Sequence, residues 1–323
     1  MEYTQLGRTG LTVSRLVLGT MNFGPATTEP DSFRIMDEAH ELGLNVFDTA
    51  NVYGGELGRG ATETIVGNWL AQGNGRRERT VLATKVFNKM GDWPNESRLS
   101  ATHIRRACDE SLRRLQTDHI DLYQMHHVDR QTPWEEIWTA MDILRTQGKV
   151  TYVGTSNFAG WHIAQGQETA TRLDTLGLSS EQCIYNLINR SAEREVLPAC
   201  EAYGIGVIPW SPLDSGLLGG ILRKQAEGRR RYEGRAERDL EPHRAQLVQW
   251  EALCDELGHE PSHVAIAWLL TRPAVTAPIV GPRTSEQLAG MAAALDVTLD
   301  AATLQRIDEI FPGPGPSPED FAW

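Results

Sequence analysis

Short apolar runs alternate along this chain with longer stretches in which hydrophobic residues return every three or four positions. The runs are Leu16-Val-Leu-Gly, Asn45-Val-Phe-Asp, Thr80-Val-Leu-Ala-Thr, Ile120-Asp-Leu-Tyr, Val150-Thr-Tyr-Val, Gln182-Cys-Ile-Tyr, Ile205-Gly-Val-Ile and Ala277-Pro-Ile-Val, which makes eight candidate strands. Between them, stretches such as 32–42, 62–71, 101–115 and 134–146 carry the helical period. Alternation of this kind predicts a parallel sheet, and eight repeats favour closure into a (β/α)8 TIM barrel. Ahead of the first unit, two strand-like pieces flank the turn from Gly7 to Gly10, a hairpin signal. The expected architecture is one α/β domain over residues 1–323.

The segment 211–244 interrupts this rhythm. It shows no strand pattern and contains Gly216, Gly219, Gly220, Gly228 and Gly234 with the run Arg229-Arg230-Arg231, so it is expected to be a long binding loop after the seventh strand. A last helix over 301–310 ends in a proline-rich tail that cannot continue it.

Composition narrows the class. With 40% hydrophobic and 23% charged residues the chain is that of a folded globular protein. A formal net charge of -12 argues against a broad surface for nucleic acid or anionic lipid, so any anionic ligand needs a local basic pocket. Cys108, Cys183, Cys200 and Cys254 are far apart and form no CxxC pair, which suits reduced thiols in a cytoplasm. No run reaches the length of a membrane helix. No residue pattern specifies an oligomeric state.

Against that frame, Asp48, Lys85 and His126 fall just at the C-terminal ends of their strand runs, the end at which barrel enzymes assemble their sites. Tyr53 follows Asp48 closely in Phe47-Asp-Thr-Ala-Asn-Val-Tyr-Gly. A tyrosine beside a lysine suits carbonyl reduction, because the ammonium stabilises the phenolate and lowers the phenol pKa. Asp48 would fix Lys85 by a charge-assisted hydrogen bond and His126 would orient the carbonyl. No metal is required. His126-His127 with Asp129 is a poor ligand set, since adjacent side chains on a strand end are expected to point apart. The Gly-x-Gly-x-x-Gly fingerprint of open-sheet dinucleotide folds is absent, so a nicotinamide cofactor would be held in another way. Gly54-Gly-Glu-Leu-Gly-Arg-Gly lacks the lysine-serine ending of a phosphate loop and is expected to shape the turn beyond Tyr53.

In these residues the chain resembles the aldo-keto reductase superfamily, from the hairpin to Gln287. The resemblance implies a barrel with the hairpin across its bottom, NADPH as cofactor, a small-molecule carbonyl as substrate, and a catalytic tetrad at Asp48, Tyr53, Lys85 and His126. It further implies cofactor contacts at Thr20 and Met21, at Asp48, and at Ser156, Asn157 and Gln182 around the nicotinamide carboxamide. Trp210 would stack on the nicotinamide ring. Ser211, Pro212, Leu213 and Ser215 would meet the pyrophosphate, with Arg235 as a clamp, and Gly281, Arg283 and Gln287 would hold the adenosine 2′-phosphate. Gly290 and Met291 stand where the family usually has Glu-Asn, and Ile221 where it often has lysine. The stretch Asp118-His-Ile-Asp-Leu-Tyr-Gln-Met-His-His-Val-Asp looks similar to the TDP-4-keto-6-deoxyhexose 2,3-reductases of deoxysugar pathways. A non-enzymatic alternative is a redox-sensing subunit resembling the β subunits of voltage-gated potassium channels.

Overall fold

The computed structural model describes residues 1–227 and 235–317. An antiparallel hairpin of β1 (Tyr3–Gln5) and β2 (Thr12–Ser14) comes first. Then follow β3 (Val17–Gly19), α1 (Glu29–Glu41), β4 (Val46–Asp48), α2 (Ala61–Leu70), β5 (Val81–Val86), α3 (Ala101–Leu115), β6 (Ile120–Met125) and α4 (Trp134–Thr146). The second half holds β7 (Val150–Ser156), α5 (Gly160–Arg172), β8 (Leu178–Gln182), α6 (Val196–Tyr203), β9 (Gly206–Val207), α7 (Ile221–Ala226), α8 (Arg235–Leu257), α9 (Pro261–Leu270), β10 (Ile279–Val280), α10 (Ser285–Ala292) and α11 (Ala301–Ile310).

Strands β3 to β10 form one 8-stranded parallel sheet in the order β10-β3-β4-β5-β6-β7-β8-β9. Its two ends meet: the Ile279 amide donates to Pro209 O at 2.8 Å and the Thr276 amide to Val207 O at 2.9 Å. The sheet therefore closes, and the fold is the (β/α)8 barrel that the alternation predicts. Leu6 and Val13 of the hairpin region pack with Val17, Val46, Ala83, Leu122, Ile208, Ala277 and Ile279, which seals the end of the barrel where the strands begin.

Because strand side chains alternate, residues two positions on from this apolar layer also face inward. They are Asp48 after Val46, Lys85 after Ala83, and Gln124 after Leu122. The register sets Asp48 opposite Ala83, Lys85 opposite Gln124, and Ser156 opposite Gln182. One barrel thus has an apolar plug at one end and a polar layer at the other.

The sixth barrel strand departs from the hydrophobic pattern. The apolar run places it over 182–185, yet the strand is Leu178–Gln182, a Leu-Ser-Ser-Glu-Gln segment buried at every position. Ser180 pairs with Gly154, and a Cβ on Gly154 would come within 2.3 Å of Ser180 Oγ, so the small polar residue fills space a glycine leaves. Ile184 makes only an isolated bridge, to Trp210.

The expected long loop is also corrected. Among the described residues, 211–244 contains a 3-10 segment at Asp214–Gly219, then α7 and the start of α8, because Leu217, Leu218 and Ile221 are buried against the core. Arg229–Arg231, Gly228 and Gly234 lie outside the described residues, as does the end of the tail, and Arg235 begins α8 with its side chain likewise undescribed. No helix among the described residues is long and apolar enough to cross a membrane.

Gly154→Ala should push Ser180 and Gln124 apart, an overpacking that costs ~1–3 kcal/mol. Urea unfolding measures it. Unchanged stability would mean that the two strands shift without cost.

Candidate active site

Lys85 is fully buried on β5, and its ammonium meets an acceptor along each N–H. It donates to Asp48 Oδ2 at 2.5 Å, to the Thr49 carbonyl at 2.9 Å and to the Tyr53 hydroxyl at 3.2 Å. The other Asp48 oxygen accepts from Gln124 Nε2 and Gln182 Nε2, each at 2.9 Å, and Gln182 Nε2 also donates to Gln124 Oε1. Thr20 fixes the Asp48 carbonyl through its amide at 3.0 Å and its hydroxyl at 2.9 Å.

Tyr53 leaves β4 on a short turn and is anchored by the first turn of α2, where the Gly60 and Thr62 amides both donate to its carbonyl. Gly54 follows at φ +152, where a Cβ would lie 1.9 Å from Gly58 O, so the glycine is required for the chain to turn back beneath the phenol. The ammonium has no lone pair, so the hydroxyl can only accept from it. Its own proton therefore points elsewhere, and among the described residues nothing takes it up.

The electrostatics differ from the sequence expectation in one respect. Burial raises the Tyr53 pKa and outweighs the lowering by Lys85, so the net direction is upward and the phenol keeps its proton near neutral pH. Burial pulls the Lys85 pKa down, but Asp48 and Tyr53 together turn the net shift upward, which keeps it an ammonium.

His126 stands past the end of β6 with its ring edge-on to Tyr53, 5.9 Å between centroids. Burial, then Lys85 and His127, depress its pKa to about 2, so the ring is neutral. Asn88 Nδ2 lies 2.9 Å from Nδ1. With the amide nitrogen as donor, Nδ1 accepts and the imidazole proton sits on Nε2. The His127 ring stacks on His126 at 5.3 Å rather than pointing away, because both residues lie beyond the strand and its alternation. Among the described residues no group of three or more His, Cys, Asp or Glu comes together as a metal site.

Some of the other positions expected around a cofactor are joined to this cluster by hydrogen bonds. The Asn157 side-chain nitrogen Nδ2 donates to Ser156 Oγ at 2.9 Å and to the His126 carbonyl at 3.2 Å, and its side-chain oxygen accepts from Trp210 Nε1 at 3.0 Å. Ser156 Oγ donates to the Gln182 carbonyl at 2.8 Å. These contacts bring Ser156, Asn157, Gln182, Trp210 and His126 into one network.

A family model, the aldo/keto reductase family, matches residues 15–311. The chain belongs to that family. It is 53% identical to an uncharacterized oxidoreductase of Bacillus subtilis, YrpG, over 100% of both chains. It is 34% identical to a versiconal hemiacetal acetate reductase of Aspergillus parasiticus over 96% of each chain. It is also 34% identical to a probable voltage-gated potassium channel subunit beta of Oryza sativa, covering 96% of this chain and 95% of that one. The chain is accordingly an oxidoreductase of the aldo/keto reductase family.

Around the network of this aldo/keto reductase, Met21 is 60% exposed at the rim while Thr20 is buried. Ser211, Asp214 and Ser215 all have positive φ, and Pro212 and Leu213 lie between them. Gly281 accepts from Asn22 at 2.9 Å, and Gln287 Oε1 accepts from the Arg283 amide at 2.8 Å. The Arg283 side chain is exposed and makes no ion pair among the described residues. A cavity of about 750 Å³ lies beside the mouth, between the loop after β6 and α5, and touches none of Asp48, Tyr53, Lys85 or His126.

Gln124 and Asn88 were missed from sequence. The signal for Gln124 is the period-2 step from Leu122. Asn88 sits in an irregular segment with no comparable mark.

Nitrogen-15 NMR of the imidazoles should find His126 neutral, protonated on Nε2 and flat across the pH range where an exposed histidine titrates, roughly 6.5. Asn88→Leu should release the tautomer. Titration of His126 near that value would refute the burial argument.

Proposed function

We propose that this aldo/keto reductase reduces an aldehyde or ketone with NADPH and that Tyr53 delivers the proton. The observation that carries the reading is the Tyr53 hydroxyl: it accepts from Lys85 at 3.2 Å, and its own proton has no taker among the described residues. A general acid needs that arrangement, a proton directed away from the group that will stabilise the phenolate left behind.

The residues suit a nicotinamide cofactor. The Gln182 side-chain nitrogen is spent on Asp48 and Gln124, its oxygen makes no hydrogen bond among the described residues, and the Asn157 oxygen has taken only the Trp210 donor. Two open acceptors in one network fit the amide hydrogens of a carboxamide. Trp210 is partly exposed, as a stacking surface must be. Left-handed residues at Ser211, Asp214 and Ser215 turn peptide groups in the manner of an anion-binding nest. At the far end, the exposed Arg283 guanidinium, without an ion pair among the described residues, suits the 2′-phosphate that distinguishes NADPH from NADH. When bound, the cofactor supplies the hydride.

The chain's own groups do the rest. Neutral His126 offers Nε2–H to a carbonyl oxygen and helps to orient it beside the Tyr53 hydroxyl. As that oxygen gains charge, Tyr53 transfers its proton to it. The ammonium of Lys85, kept in place by Asp48 and the Thr49 carbonyl, stabilises the phenolate. A keto-sugar nucleotide is the narrower form of the substrate reading, supported by the segment from Asp118 to Asp129, and simple aldehydes and ketones are the broader form.

The deciding experiment is NADPH oxidation with aldehydes, ketones and TDP-linked keto-sugars. Binding of NADPH without turnover of any carbonyl would favour the channel-subunit reading. Tyr53→Phe should retain NADPH binding and lose ~10²–10⁴-fold in single-turnover hydride transfer. Full activity in that variant would remove Tyr53 from the chemistry. Arg283→Ala should weaken NADPH on the order of tenfold and leave NADH unchanged, the loss of one charge-assisted contact. Equal effects on both cofactors would refute the phosphate role.

A further inference from the structure

Adjacent residues of β8 face opposite ways. Gln182 points into the barrel onto Asp48, so Glu181 points outward to the layer of helices. Glu181 is fully buried there, and among the described residues no cation pairs with it. Its Oε1 accepts from the Phe158 amide at 3.1 Å, and its Oε2 has no hydrogen-bond partner among the described residues. A buried carboxyl with no countercharge among the described residues is costly and calls for a reason.

The reason lies one residue back along the chain. Asn157 has φ +63, a left-handed conformation uncommon for a non-glycine residue though open to Asn, and here its neighbours hold it. Two consecutive residues of β8 impose it. The Gln182 carbonyl takes the Asn157 amide at 3.0 Å, and the Glu181 carboxyl takes the Phe158 amide. Phe158 is itself pinned by its ring, which is 3% exposed and packs against Trp134. With both amides gripped, the Asn157 side chain is turned onto Ser156, His126 and Trp210.

We propose that Glu181 is a positioning residue of the cofactor site, holding Asn157 in its left-handed turn through the Phe158 amide, and that NADPH affinity follows the protonation of this carboxyl. The inference rests on the reading of Ser156, Asn157 and Gln182 as holders of the cofactor's carboxamide.

The groups that face Glu181 are the Thr155 hydroxyl of β7, the Asn157 and Phe158 amides, and the thiols of Cys183 and of Cys200 on α6. Burial raises the carboxyl pKa to about 7, and the hydroxyl and amides only partly offset it. An ionised carboxylate accepts a stronger hydrogen bond than the neutral acid. The grip on Phe158 therefore tightens as pH rises through that value, and loosens as it falls.

The test is NADPH affinity of the intact protein, read by tryptophan fluorescence at pH about 6 and about 8, on either side of the carboxyl's titration. The wild type should bind several-fold more tightly at the higher pH. Glu181→Gln keeps an acceptor for the Phe158 amide but cannot titrate, so it should retain most of the affinity at high pH and lose that pH step. The cofactor's own 2′-phosphate titrates identically with every variant, so the difference between variants isolates Glu181. Glu181→Ala should weaken NADPH roughly tenfold, as expected for a lost hydrogen bond to a charged group, with a larger effect on KM than on kcat. A role in stability alone would lower Tm in both variants and leave affinity and pH step as in the wild type, and that result overturns the proposal. If Glu181→Ala does not fold, the Gln variant decides: a retained pH step refutes the assignment. A wild type that fails to bind NADPH at either pH would instead refute the cofactor reading on which it rests.

Discussion

The ammonium of Lys85, buried at 0% exposure, is the constraint around which the rest of the barrel mouth is arranged. Taking such a charge out of water costs several kcal/mol, and the cost is offset only if every N–H finds an acceptor and the countercharge is itself satisfied. Asp48 provides the countercharge from the next strand, and the Thr49 carbonyl provides the second acceptor. Asp48 then needs donors of its own, and Gln124 and Gln182 reach it from two further strands. The third Lys85 hydrogen is left for Tyr53. Four strands are tied together by the consequences of one buried cation, and the phenol is oriented by what remains.

That arrangement explains why much of the site was legible in the sequence. Inward positions recur every second residue, so a polar residue two steps beyond an apolar inward one must be answered inside the barrel. Val46 then Asp48, Ala83 then Lys85, and Leu122 then Gln124 all follow this rule. Asp48 and Lys85 stand out in the sequence by their charges at the ends of strand runs, while Gln124, which follows the same two-residue step, carries no charge to mark it. His126 was visible by its place at the strand end, but its stacking on His127 was not, because strand alternation stops at Met125.

The misread strand has a related cause. Leu178–Gln182 carries polar residues on both faces, which a hydrophobic pattern assigns to the surface. It is buried because each face has its own polar purpose: Ser180 and Gln182 fit the barrel interior, and Glu181 the shell outside it. The apolar run just after it was the stronger signal and belonged to the strand's continuation. The segment after β9 was misjudged for the opposite reason. Its glycines suggested a loop, while Leu217, Leu218 and Ile221 supply enough buried surface to fold it into short helical turns.

The sign of the Tyr53 shift bears on how this mouth would work. A lysine beside a tyrosine is commonly expected to pull the phenol down toward neutral pH, but here burial prevails and the net direction is upward. The two effects act on different states. Burial disfavours the phenolate while nothing has yet taken the proton, so a Tyr53 acting as the proposed acid would stay loaded in the free protein. Lys85, already in contact, lowers the energy of the phenolate once the proton has gone. A donor that had already lost its proton could not act as an acid, and one without the ammonium would give its proton up too reluctantly. In the proposed reaction the pair would separate these demands: burial keeps the phenol protonated, and the cation limits the cost of its release.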